Sequence, residues 1–183
     1  MTKAERDVQF GYWRNTGMLL PDGTRDVEGY RCDGPITRID MGWWSPSVGI
    51  YDFRLNPAPD MGLTWVMGER PCRYMGVPPL TEMQPDGEFD TDKASIPWFV
   101  PIERDRFLGA FPHDSQYKTH QCWMRFPDGV WVRWPITRAQ SDMCLYYSVQ
   151  ADPVPMSPIQ AELVWDGVWI GGRGPWNRAE VKA

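Results

Sequence analysis

The sequence predicts a single α+β domain over residues 1–183: a mostly antiparallel, hairpin-rich sheet with two main helices and long irregular loops. Eighteen prolines and seventeen glycines make up about a fifth of the 183 residues, against roughly 12% in an average chain, which indicates many turns. Apolar residues recur with period 2 in several runs, which indicates strands. Eleven tryptophans can anchor such a loop-rich fold, because each buries roughly 150–250 Å².

Strand and turn signals dominate the first ninety residues. The runs Tyr51 to Leu55 and Leu63 to Met67 have the period of half-buried strands. Pro-Asp-Gly, a turn signal, occurs three times in the chain. The proline-rich region Pro57 to Pro85 is predicted to be extended, irregular chain at the surface that serves as a contact arm.

Two hairpins are predicted in the second half. In the first, Cys122 to Phe126 and Val130 to Trp134 flank a Pro-Asp-Gly turn. Strand alternation places two pairs of side chains on opposite faces of this hairpin, Met124 with Phe126 and Trp123 with Arg125. The second hairpin is predicted around Asp166-Gly167, between Leu163-Val164-Trp165 and Val168-Trp169-Ile170.

Two helices are predicted around these hairpins. The first covers part of Arg104 to His120, and Pro112 either starts it or kinks it. Its inward residues are Phe107, Leu108 and Phe111. The second begins at Thr137, whose hydroxyl forms a capping box with Gln140, and it ends by Pro153.

Charge and hydropathy exclude two classes of partner. The formal net charge is −5, whereas a nucleic-acid-binding surface needs a basic stripe. No stretch approaches the ~18 apolar residues of a membrane helix, and the first residues lack the apolar core of a signal peptide. We therefore expect neither a nucleic-acid nor a membrane partner, and synthesis and folding in a reducing cytoplasm.

The cysteines do not form a recognisable metal or redox motif. Cys32, Cys72, Cys122 and Cys144 are separated by tens of residues without a C-x-x-C pair. We expect reduced, mostly buried thiols that pack as small apolar groups.

Residues 90 to 142 gather the polar side chains that hydrolytic sites use. The run Thr91-Asp92-Lys93-Ala94-Ser95-Ile96-Pro97 is followed by His113-Asp114-Ser115-Gln116-Tyr117 and then by Arg138 and Asp142. Over about residues 85 to 178 this arrangement resembles the domain of unknown function 1353 family of tailed phages and prophages. The family pattern is T-D-x-A-S-I/V-P, H-D-x-x-Y and R-x-x-x-D, with a glycine and a tryptophan near the end.

Gly174 and Trp176 match the end of that family pattern. Residues 1 to 84 lie outside the resemblance, and Pro112 stands where the family usually has an apolar residue. The resemblance implies a structural or accessory component of a phage particle, associated with the tail or the capsid. Its implied partners are other virion proteins, within an oligomeric assembly.

A catalytic interpretation of the same residues is a hydrolase of envelope, lipid or ester substrates. Helical spacing places His113, Tyr117 and His120 on one face, whereas Asp114 points about a hundred degrees away and is predicted not to orient His113. The orienting carboxylate would then be Asp92 or Asp142, the two acids that the family pattern supplies.

An imidazole oriented in this way can act as a general base on water or on Ser95. Asp114 with another carboxylate can hold a hard divalent cation. His113, His120 and Cys122 are of the types that bind zinc, but a fourth ligand at recognisable spacing is missing. The expectation is therefore a protein without a cofactor.

A structural interpretation explains the same residues. Asp92 and Ser95 can cap a helix, and Arg138 with Asp142 is a common i, i+4 pair. His113 is then a core histidine in a buried polar network. We expect Asp92, Ser95, His113, Asp114, Arg138 and Asp142 to form one cluster. A third function, carbohydrate binding, would use tryptophans exposed on hairpins.

Overall fold

The centre of the molecule is an antiparallel five-stranded sheet. The computed structural model describes residues 1–14, 63–86, 108–153 and 155–180, together with the backbone of short strands at 30–31, 39–40, 49–55 and 89–91. The strand order is β1 (Gly11–Arg14), β5 (Thr64–Met67), β6 (Glu82–Pro85), β8 (Gln121–Arg125) and β9 (Trp131–Pro135). The sheet thus combines strands from both halves of the chain.

A second, smaller group of strands pairs around one long strand, β4 (Gly49–Leu55). Its antiparallel partners are β2 (Tyr30–Arg31), β3 (Ile39–Asp40) and β7 (Phe89–Thr91). The predicted strand over Tyr51 to Leu55 is therefore confirmed.

Helices are more numerous in the described residues than the two main ones predicted. They are α1 (Lys3–Phe10), α2 (Glu69–Met75), α3 (Ala110–Thr119), α4 (Arg138–Ser148), α5 (Pro158–Gly171) and α6 (Arg173–Glu180). Together with the antiparallel sheet they confirm the α+β class. No helix in these ranges is long and apolar enough to cross a membrane.

The first predicted hairpin and the predicted capping box are both confirmed. β8 pairs with β9, with Met124 opposite Val132, and Met124 is fully buried while Trp123 and Arg125 are partly exposed. At the start of α4, the Thr137 hydroxyl accepts a hydrogen bond from the backbone amide of Gln140. The side-chain oxygen of Gln140 accepts one from the backbone amide of Thr137. The turn of this hairpin and the cap of α4 were therefore predicted correctly from the local sequence.

Pro112 lies in the first turn of α3 and does not interrupt the helix. Gly109 caps the helix, so Pro112 is its third residue, where an amide has no carbonyl partner within the helix. The inward placement of Leu108 and Phe111 is confirmed, whereas Phe107 lies outside the described residues.

The predicted second hairpin around Asp166-Gly167 is wrong. This segment lies within α5, which begins with a Ser157–Gln160 capping box and has Pro158 in its first turn. The apolar residues of the segment also fit a helix, since the buried Ala161, Val164 and Val168 recur at helical spacing. Favourable helix-start chemistry overrides the Asp-Gly turn signal.

The predicted surface arm from Pro57 to Pro85 is also wrong over its described part, residues 63–85. That part contributes β5, α2 and β6, and it buries Leu63, Trp65, Met67 and Met83 completely. The remainder, residues 57–62, lies outside the described residues.

The main core lies between the inner face of the sheet and helices α1, α2 and α4. Trp13 and Trp65 pack there in parallel with ring centroids 6.4 Å apart. Their indole groups donate to the carbonyls of Ser148 and Phe10, respectively, each at 3.0 Å. A second core joins α3, the end of α4 and α5.

The thiols of the described cysteines are free and buried, as predicted. Burial raises the pKa of the Cys72 thiol to about 11 and also raises the pKa of Cys122 and Cys144. These three thiols therefore remain protonated near neutral pH. Cys32 lies outside the described residues.

Candidate functional site

The predicted polar residues that the structure describes meet where α3 packs against α4. His113, Asp114 and Tyr117 lie on α3, and Arg138 and Asp142 lie on α4. The start of α4 is held by the capping box of Thr137 and Gln140. We call these five residues the His113 cluster. Four of them, His113, Asp114, Arg138 and Asp142, were predicted to lie together, and Tyr117 joins them.

The imidazole of His113 is buried between two carboxylates. Its Nε2 lies 3.4 Å from Oδ1 of Asp142, and its Nδ1 lies 3.6 Å from Oδ1 of Asp114. The prediction that Asp114 would not face His113 is therefore wrong. Helical angles describe where the Cβ atoms point, and the carboxylate beyond the Cβ still reaches the neighbouring ring.

Burial and charge act in opposite directions on His113. Burial lowers the pKa of its imidazole, but Asp114 and Asp142 raise it, and the resulting pKa lies above its ordinary value. The cationic form of the ring is therefore favoured, since a carboxylate faces each nitrogen.

Asp142 is the centre of the cluster. Its side chain is fully buried, and its Oδ1, which faces His113, also accepts a short hydrogen bond from the Tyr117 hydroxyl. Its Oδ2 makes no hydrogen bond and lies 3.5 Å from Nη1 of Arg138. A buried carboxylate needs opposing charge or donors, and Asp142 finds them on both helices.

Tyr117 acts as a donor because its phenol stays protonated. Burial, followed by the hydrogen bond to Asp142, raises the pKa of Tyr117 well above its usual value. Its hydroxyl occupies the space beside Gly172, where an added Cβ would lie 2.2 Å from the phenolic oxygen. A glycine between α5 and α6 therefore permits this placement.

Arg138 extends the cluster to α5. Its Nη1 donates to the carbonyl of Trp169 at 3.1 Å, and its guanidinium carbon lies 4.8 Å from the centre of the Trp169 ring. The same guanidinium thus contacts a buried carboxylate and a half-exposed tryptophan of α5.

Trp176, matched to the family pattern, covers this face of α3. It stacks on His120, with ring centroids 4.0 Å apart, and meets Tyr117 edge-on at 5.1 Å. Tyr117 in turn lies 4.3 Å from the ring of His113. The three side chains lie together as predicted, although His120 is the left-handed C-cap of α3 and not part of the helix. Gly174, the other match, has open space around it.

Asp92 and Ser95 lie outside the described residues. The nearest described backbone before them is β7, which ends at Thr91 and contacts α3. Their predicted membership of the cluster stays a prediction.

A metal centre is not assembled from the described side chains. They include no group of three histidine, cysteine, aspartate or glutamate residues placed to hold a metal ion. His120 instead stacks on Trp176, and the Cys122 thiol faces the carbonyl of Trp134 at 3.8 Å. The zinc set His113, His120 and Cys122 is therefore not formed.

Sequence reasoning missed the contributions of Trp169 and Gly172. The incorrectly predicted hairpin is the reason. In a hairpin the Trp169 carbonyl would bond a neighbouring strand, so its hydrogen bond with Arg138 was not expected. The capping signal at Ser157 was available in the sequence and predicts the helix that places them.

No family model, curated protein or solved structure matches this chain. The resemblance to the domain of unknown function 1353 family therefore rests on the motif residues alone.

Proposed function

We propose that this protein is a non-catalytic component of a phage particle, tail or capsid associated, in which the His113 cluster locks the helical layer together. The observation that carries the non-catalytic part is the placement of His113: a carboxylate faces each of its nitrogens inside a buried site. A general base needs a nitrogen free to accept a proton from substrate. Here the geometry and the raised pKa favour a cation that holds its proton.

The cluster connects three helices through one carboxylate. Asp142 of α4 bonds Tyr117 and faces His113 on α3, and its partner Arg138 donates to α5. Buried polar networks of this kind fix one packing arrangement, because each member loses its partners when the arrangement changes.

The particle assignment rests on the motif resemblance and is supported by the surface. Large apolar side chains are exposed on α5, among them Ile159 at 73% and Ile170 at 81%. Exposed apolar patches mark interaction sites. A chain with such a surface suits an oligomeric assembly with other virion proteins.

The particle assignment is tested by locating the chain. Particles induced from the source genome are purified on a density gradient and probed with an antibody against the chain. We expect the chain to co-migrate with the particles after a high-salt wash. Its recovery only in the free-protein fractions would reject the assignment.

A hydrolase is the second candidate, because a carboxylate paired with imidazole Nε2 is the geometry that orients a general base. The 3.4 Å contact of His113 with Asp142 favours it. In this alternative Nδ1 is the working nitrogen, and Asp114 must turn away from it. Turnover of an ester, phospholipid or peptidoglycan substrate that His113→Gln abolishes would replace our proposal with this one.

Carbohydrate binding draws little support from the hairpin tryptophans. A sugar stacks on an open ring face, but Arg125 lies over Trp131 and Arg133 over Trp123, at 4.9 and 5.1 Å from the ring centres. These two rings already have cationic partners, and the third tryptophan of the hairpin, Trp134, packs edge-on against Phe126.

A further inference from the structure

Helix α5 is apolar on two opposite sides. Its inner side packs Ala161, Val164 and Val168 into the second core. At 100° per residue, positions 159, 163, 166 and 170 fall within an arc of about 60° on the opposite side. An apolar stripe on the side of a helix that faces away from the core marks an interaction site.

The outward stripe of α5 is exposed and carries one charge at its centre. Ile159, Leu163 and Ile170 are 73%, 46% and 81% exposed. Asp166 lies between them and is exposed as well, and the exposed Glu162 flanks the stripe. The stripe is therefore an apolar surface with an acidic centre.

We propose that this stripe is the docking site for an amphipathic helix of another particle protein, one that presents a lysine or arginine to Asp166. An apolar stripe at helical spacing receives an amphipathic helix along its length. A cation on that helix compensates the carboxylate that docking removes from water. This inference rests on the proposed assembly role and names the surface that serves it.

A second copy of the chain fits the stripe less well. In the antiparallel two-fold pairing that covers both Ile159 and Ile170, the two Asp166 residues lie about 4.5 Å apart along the axis, and in a parallel pairing they lie at the same level. Either arrangement desolvates two like charges together, which is unfavourable. A basic partner removes this conflict.

The test uses two fluorescently labelled amphipathic helical peptides that differ at one residue. Both carry leucines at the spacing of the stripe, and the central residue is lysine in one and glutamate in the other. We expect the wild-type chain to bind the lysine peptide at least about tenfold more tightly. Asp166→Lys reverses the preference, and Ile170→Glu abolishes binding of both peptides.

Val8→Glu is the matched control, because Val8 is a 55% exposed apolar residue on another helix, α1. We expect it to bind both peptides as the wild type does, and thermal melting confirms that each variant is folded. Equal affinity for the two peptides, no binding of either, or binding retained by Ile170→Glu would overturn the proposal.

The same variants test two other occupants of the stripe, a second copy of the chain and a membrane. A dimer of the wild type that Ile170→Glu dissociates in sedimentation would assign the stripe to a second copy and overturn the proposal. Binding to phosphatidylcholine vesicles that Ile170→Glu abolishes would assign the stripe to a membrane and would also overturn the proposal. If the peptides fail while the chain is found in purified particles, this surface is rejected and the particle assignment stands.

Discussion

His113 and Tyr117, one helical turn apart on α3, both face the same oxygen of a carboxylate on α4. The Tyr117 hydroxyl donates to Oδ1 of Asp142, and Nε2 of His113 lies 3.4 Å from that atom. A single buried carboxylate thus receives a neutral donor and a ring that favours its cationic form.

Replacement of His113 by alanine is expected to lower stability. The variant removes the imidazole that faces the buried Asp142 at 3.4 Å, and a hydrogen bond to a charged group contributes about 1.5–3 kcal/mol. We expect a loss of unfolding free energy of at least this size in denaturant titration. His113→Gln, whose amide can still donate to Asp142, is the control and should lose less.

The same variant separates the two proposed roles of the cluster. Loss of a general base typically lowers a rate by about 10²–10⁴-fold, whereas a structural histidine has no rate to lose. A His113→Ala protein that melts like the parent but loses a parental hydrolase activity would contradict the structural role.

Stability is expected to depend on pH through His113. Its folded pKa is raised above the ordinary 6.5, so the folded state binds the proton more tightly than the unfolded state. The resulting stabilisation is fully present below about pH 6.5 and is lost as pH rises through the folded pKa.

This pH dependence is measured as a difference between two proteins. The unfolding free energy of the wild type minus that of His113→Gln should decrease between about pH 6 and about pH 9. Subtraction removes the groups that titrate in both proteins. A difference that stays constant or grows over this range would show that the ring is not held as a cation.

The α+β class and the meeting of His113, Arg138 and Asp142 were both predicted from the sequence. The cluster follows from side chains at helical spacing on two helices, and the Thr137 capping box places the second helix without reference to tertiary contacts. The reach of Asp114 to His113, by contrast, depends on side-chain torsions. Neither spacing nor composition records those torsions.

The positions of the prolines in the predicted arm, Pro57 to Pro85, explain why the burial of its residues was not predicted. Pro71 lies in the first turns of α2, where its missing amide has little effect, and Pro85 ends β6. Each proline thus occupies a position that regular structure tolerates. A high proline count signals turns, but only the position of each proline shows whether strands and helices continue between them.

Tyr117→Phe is expected to weaken the packing of α3 on α4. The substitution removes the hydroxyl donor of Asp142, and a hydrogen bond to a charged group contributes about 1.5–3 kcal/mol. Tyr12→Phe is the matched control, because Tyr12 is 43% exposed on β1, and surface substitutions usually stay within about 0.5 kcal/mol. Equal unfolding free energies for the two variants would show that the Tyr117 hydroxyl contributes nothing.

Trp176→Ala is expected to release α6 from the body of the protein. Among the α6 residues whose side chains are described, Trp176 is the buried one. Its ring contacts with His120 and Tyr117 join the helix to the rest of the protein. Truncation of a buried tryptophan costs about 3–5 kcal/mol, more than the few remaining contacts of a short helix can offset. Hydrogen exchange should therefore accelerate over Arg173–Glu180 while the β8–β9 hairpin stays protected.

Trp169→Ala, at a tryptophan that is 45% exposed, should leave exchange of α6 near the parental rate. Unchanged protection of α6 in Trp176→Ala would mean that other contacts hold this helix in place.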